Sequence, residues 1–231
     1  ELGHPYTRLE SFNSALNIAL LDADADALLT HADVLQALVN NDTLPDFASA
    51  YANGFRAKAL TLQGELATGL DLMVGAAPVW QEFWGAWCFP LDSAFATTLA
   101  SAGRIGEGIA HVEMQLDAAR VSGAHWWDAE FHRVLGELSL AQDPTDLDRA
   151  KASFERALEV SRQQPAPFLE LRAASSLARL QPASARPDTA MRALREACNH
   201  FASDANTTDL RLARSLLDAA ELGDNDRPRG A

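Results

Sequence analysis

Lysine is almost missing: Lys58 and Lys151 are the only two in 231 residues, and neither follows a glycine. A phosphate-cradling loop needs Gly-x4-Gly-Lys-Ser/Thr, so that chemistry is not encoded. Gly103, Gly106 and Gly108 superficially look like a glycine-rich phosphate loop, but no strand precedes them and an interhelix turn is expected. Cysteine is equally scarce. Cys88 and Cys198 lie far apart inside apolar helical patterns, as core residues rather than a disulfide or metal ligands. There is no Cys-x2-Cys, His-Glu-x2-His or Gly-x-Ser-x-Gly. His111 and Glu113, two apart, point to different sides of a helix, and His125 and His132 share a face without an obvious third ligand. Neither a cofactor nor enzymatic activity is expected.

Positive charge is short as well. Nineteen Lys and Arg face 32 Asp and Glu, a formal net charge of −13. No basic stripe is available to displace counterions from phosphates and an acidic surface repels anionic membranes, so direct contact with nucleic acid or lipid is not expected. No apolar run is long enough to span a bilayer and no signal peptide is visible, so a cytoplasmic setting is expected. The chain starts at Glu1, already in an amphipathic segment, and reads as a piece of something longer.

What is abundant is alanine and leucine, within a hydrophobic share of 48% that supports a sizeable core. Both residues lose little side-chain freedom in a helix, so an all-α chain is expected. The small–large–small triplet Ala150, Phe154 and Ala157 places one stripe on a helix. Steps of 40 carry it to Ala190–Leu194–Ala197, Ala110–Met114–Asp117, Leu70–Val74–Ala77 and Thr30–Val34–Ala37. A helix precedes each stripe; in the clearest copy Phe131, Val134, Leu135 and Leu138 accompany Gly136, with Ala96 and Ser176 in the equivalent small position. Glycine in mid-helix costs about 1 kcal/mol against alanine, so Gly136 signals close packing. Helices are predicted at 5–21, 24–40, 44–63, 65–83, 87–102, 105–121, 125–141, 146–163, 166–181, 187–202 and 207–221. They group into five hairpins over 5–43, 44–84, 85–123, 124–164 and 165–203, a cap over 206–222, and a disordered tail over 223–231.

These stripes resemble tetratricopeptide repeats, whose second helix carries Ala-x3-Phe-x2-Ala as at 150, 154 and 157. Over 123–220 the segments from Gly123 to Leu138, Ala152 to Arg162, Leu169 to Leu180 and Thr207 to Leu210 resemble the C-terminal repeat region of bacterial adenylate-cyclase-like and LuxR-type (STAND-type) ATP-binding regulators. The proline-rich stretch Pro182–Pro187 departs from that pattern. The resemblance implies a tetratricopeptide-like α-solenoid over residues 1–222 that serves as a sensor or interaction module. It brings no cyclase or ATPase chemistry, since those domains lie outside this sequence.

Two clusters are candidates for a binding groove. Trp80, Phe83, Trp84 and Trp87 surround one turn and Trp126 and Trp127 the next, with Trp87 and Trp127 40 apart. They serve either as inter-repeat packing or as an aromatic wall. Glu130, Arg133 and Glu137 form one polar ridge, and Glu170 is the equivalent of Glu130 one unit on. By resemblance, this ridge would face the concave side. It serves either as an ion-pair ladder between repeats or as the recognition surface for a basic or mixed-charge peptide or a small polar effector. A structural spacer or oligomerisation arm is the competing function, and an enzyme using Glu130, His132 and Glu137 is the least favoured.

Overall fold

The computed structural model describes residues 5–41, 44, 47–180 and 188–225; the side chains of residues 5, 6, 8, 84, 86, 87, 188 and 221–225 are outside that description. It is all-helical. The described elements are α1 (Pro5–Leu21), α2 (Ala25–Asn40), α3 (Phe47–Leu62), α4 (Leu66–Trp84), a single 3₁₀ turn (Gly85–Cys88), α5 (Phe89–Ser101), α6 (Ile105–Ser122), α7 (Asp128–Gln142), α8 (Leu147–Gln163), α9 (Pro167–Arg179), α10 (Asp188–Cys198) and α11 (Thr208–Asn225). α11 runs to Asn225, so the first three residues of the segment expected as a tail, 223–225, are helical. Residues 226–231 and the segment Pro182–Pro187 lie outside the described residues.

Local chemistry explains the boundaries. Asp24 and Asp146 cap α2 and α8 by accepting from the backbone N–H of Ala27 (2.9 Å) and Arg149 (3.1 Å). Gly103 and Gly123 end α5 and α6 at φ 78° and 75°, in the left-handed region that a Cβ disfavours.

The chain divides into two compact units, residues 1–124 and 125–231. Inside each, hairpins stack in the same manner. The first helices approach one another, α1, α3 and α5 in one unit and α7, α9 and α11 in the other. The second helices pack between them, as α2 does on α3 and α8 on α9.

The strict forty-residue register fails in three copies. Met114, Val74 and Val34 are 50%, 42% and 42% exposed, and Ala110, Asp117, Thr30 and Ala37 also face solvent, leaving only Ala77 of those three triplets fully buried. The buried stripes are Leu28–Ala32–Leu35, Gly69–Met73–Ala76, Gly108–Val112–Gln115, Ala150–Phe154–Ala157 and Ala190–Leu194–Ala197. Spacing within each stripe stays at four and three, while the steps between stripes vary around 40 because the turns differ in length. Gly136 does mark a close approach. A Cβ there would sit 2.3 Å from the Phe154 ring, so Phe154 packs directly on the α7 backbone.

Candidate functional site

The ridge on α7 exists, and it is gripped from the next first helix. Arg133 donates through Nε and Nη2 to the two Glu130 oxygens at 2.9 and 2.7 Å, and through Nη1 to Glu137 Oε1 at 3.3 Å. Arg172 on α9 holds the same two oxygens of Glu130 at 3.1 and 3.0 Å, and its Nη1 reaches Asp209 Oδ2 on α11 at 2.9 Å. Ser176 donates to Glu137 at 2.9 Å. One chain of alternating charge thus ties α7, α9 and α11.

Glu130 is 3% exposed. Burial alone would push its carboxyl up, but the two guanidiniums and their hydrogen bonds outweigh it and hold the pKa at about 2. Burial likewise disfavours the charged Arg172, and the carboxylates of Glu130 and Asp209 reverse that, raising it above the ordinary arginine value. A carboxylate clamped by two bidentate guanidiniums is a structural tie first.

Glu170 does not continue this chain. It is buried and takes Arg162 Nε from α8 at 2.7 Å and His200 Nε2, beyond α10, at 3.3 Å, while Arg162 also reaches Glu196 at 3.0 Å. The ladder reading therefore describes Glu130, Arg133 and Glu137, and Glu170 belongs to a second junction. Trp127 is buried and Trp126 is 43% exposed, their ring centroids 5.2 Å apart. The Trp87 side chain lies outside the described residues. Of the six candidates whose side chains are described, Trp126 and Glu137 meet solvent most openly.

A second polar centre, in the other unit, has no counterpart in the sequence reading. Asp92 on α5 is 1% exposed, and its Oδ1 accepts from Trp80 Nε1 (3.2 Å) and Gln81 Nε2 (3.0 Å) of α4. His111 Nε2 of α6 lies 3.1 Å from the same oxygen, its ring edge-on to Phe95. Asp92 Oδ2 has no hydrogen-bond partner among the described residues. Helical spacing compares His111 with Glu113, two residues on; its partner sits 19 residues upstream on another helix. Burial, with the Asp92 charge second, pushes the Cys88 thiol far up, which keeps it an unreactive core residue.

Among the described residues no three His, Cys, Asp or Glu side chains assemble to hold a metal ion, and no helix is long and apolar enough to cross a membrane. No protein-family model matches the sequence, and no curated protein matches it.

Proposed function

We propose that this chain is a tetratricopeptide-type scaffold that binds a protein, peptide or small effector, as the sensor or interaction segment of a larger cytoplasmic bacterial signalling or transcription-regulatory protein. One observation carries the reading. Hairpin after hairpin buries the same stripe, and within each unit the first helices lie side by side. That arrangement offers an extended face of side chains rather than one deep pocket. In residues 125–231 this face holds Glu137, 30% exposed at its side chain, beside the more enclosed Arg133 and Arg172, a mixed-charge surface suited to polar guests. The residues that carry the family resemblance, including Phe131, Ala150, Phe154 and Ala157, are core, as that reading requires.

The test titrates the chain with mixed-charge peptides and small polar metabolites, alongside Glu137→Gln and Trp126→Ala. Trp126 is 43% exposed, and Glu137→Gln keeps the oxygen that accepts from Ser176 at 2.9 Å and from Arg133 at 3.3 Å, so folding is preserved. A ligand whose affinity drops in at least one variant supports the groove; equal affinity in both removes it.

A further inference from the structure

We infer that the outer face of α6, with the cleft beside it, docks a basic amphipathic helix of a partner protein; this rests on the scaffold reading and gives it a partner class. α6 carries two apolar stripes. Ile109, Val112 and Ala119 are buried. Ala110, Met114, Ala118 and Val121 follow one another at spacings of four, four and three on the opposite side, all exposed, Met114 by 50% and Val121 by 79%. A helix with a single buried face ordinarily shows polar residues there, and a sustained apolar stripe in water marks a contact surface.

The stripe has a receptor beside it. Met114, Ala118 and Ser122 form one wall of an open cleft of about 320 Å³, with Gln81, Gly85 and Phe89 opposite. A large apolar side chain from a docked helix fits such a hole, while the next turn rests on Val121. Met114 and Val121 are seven residues apart, the i, i+7 repeat through which helices pair lengthwise.

Charge selects the occupant. Exposed Glu107, Glu113 and Asp117 accompany the stripe; the two cations beside them are already engaged, Arg104 at 2.6 Å from Glu107 and Arg120 at 3.4 Å from Asp117, which leaves Glu113 as the carboxylate open to a partner and no cation to repel one. α2 and α4 contain no Lys or Arg at all. An acidic partner, an anionic lipid surface or the α6 of a second copy would bring like charge; a helix with Lys or Arg flanking its apolar side would be attracted and retained.

The experiment uses the full chain and two labelled amphipathic probes of equal length, one built from Leu and Lys and the other from Leu and Glu, followed by fluorescence anisotropy. The Leu–Lys probe is expected to bind and the Leu–Glu probe to fail. Met114→Asp combined with Val121→Asp should weaken binding about tenfold or more, while Ile18→Asp, at an equally solvent-exposed site of α1, leaves it unchanged. Equal binding of both probes, or indifference to the double substitution, overturns the inference. So does self-association in ultracentrifugation, or binding to phosphatidylglycerol vesicles, that the double substitution abolishes. The Glu137 and Trp126 titration is independent of this face, so its result still decides the scaffold reading if the Leu–Lys probe fails.

Discussion

Residues 1–124 carry 15 Asp and Glu against 5 Lys and Arg, whereas residues 125–231 carry 17 against 14. Both units use one hairpin plan, yet they treat buried charge in opposite ways. In the second, Glu130 and Glu170 each meet arginine. In the first, Asp92 meets an indole, an amide and an imidazole, with no guanidinium. The apolar stripe defines the hairpin in both, so charge is free to differ: guanidiniums clamp the buried carboxylates of the second unit, while the first carries an excess of carboxylates and uses arginine between helices at the more exposed Arg56–Asp33 pair of α3 and α2.

The strongest way to break this contrast is Glu130→Ala. It leaves Arg133 and Arg172 facing each other without their carboxylate, and a buried pair broken on one side loses about 3–5 kcal/mol. Denaturant unfolding should record the loss, and hydrogen exchange should place it in α7, α9 and α11. Acid should act at the same point. The folded Glu130 titrates at about 2 against an ordinary 4.5, so its contribution is fully present above pH 4.5 and disappears as pH falls toward 2. About 3 kcal/mol is involved, and denaturant midpoints measured across that pH range for the parent chain and Glu130→Ala check it.

Two glycines sharpen the comparison through opposite signs. Gly136→Ala should cost about 1–3 kcal/mol, because the new methyl collides with Phe154. Gly75→Ala, in α4 where an added Cβ meets nothing within 4 Å, should stabilise by about 0.5–1 kcal/mol. Thermal melts of the two variants should move in opposite directions. Smallest of all is Asp92→Asn. It retains the oxygen that accepts from Trp80 and Gln81 and removes a charge that no arginine balances, so a change within about 1 kcal/mol is expected in denaturant titrations. A loss as large as that of Glu130→Ala would erase the distinction between the units.

Much of the fold was legible because glycine and proline interrupt the alanine- and leucine-rich stretches; the helix ends lie within about four residues of those read from the sequence. The packing role of Gly136 was legible too, since a glycine in mid-helix has few other reasons to persist. Phase was not. Val34, Val74 and Met114 are apolar and 40 apart, so counting placed them in the core when they face water. The ridge Glu130–Arg133–Glu137 could be found from helical spacing alone. Arg172 and Asp209, which bury it, could not, because a contact 42 or 37 residues away depends on how two hairpins lean together. The Asp92 centre was hidden for the same reason.

The buried stripes begin at 28, 69, 108, 150 and 190, intervals that shrink and stretch while each helix keeps its own phase. Insertions or deletions of a residue or two are therefore absorbed in the connecting loops. Shortening or lengthening a loop by that amount should be tolerated, whereas the same edit inside α8 would rotate Phe154 off the α7 backbone. A consensus built by averaging the chain at a fixed period would mix lining with surface, so engineering of this array has to align by burial.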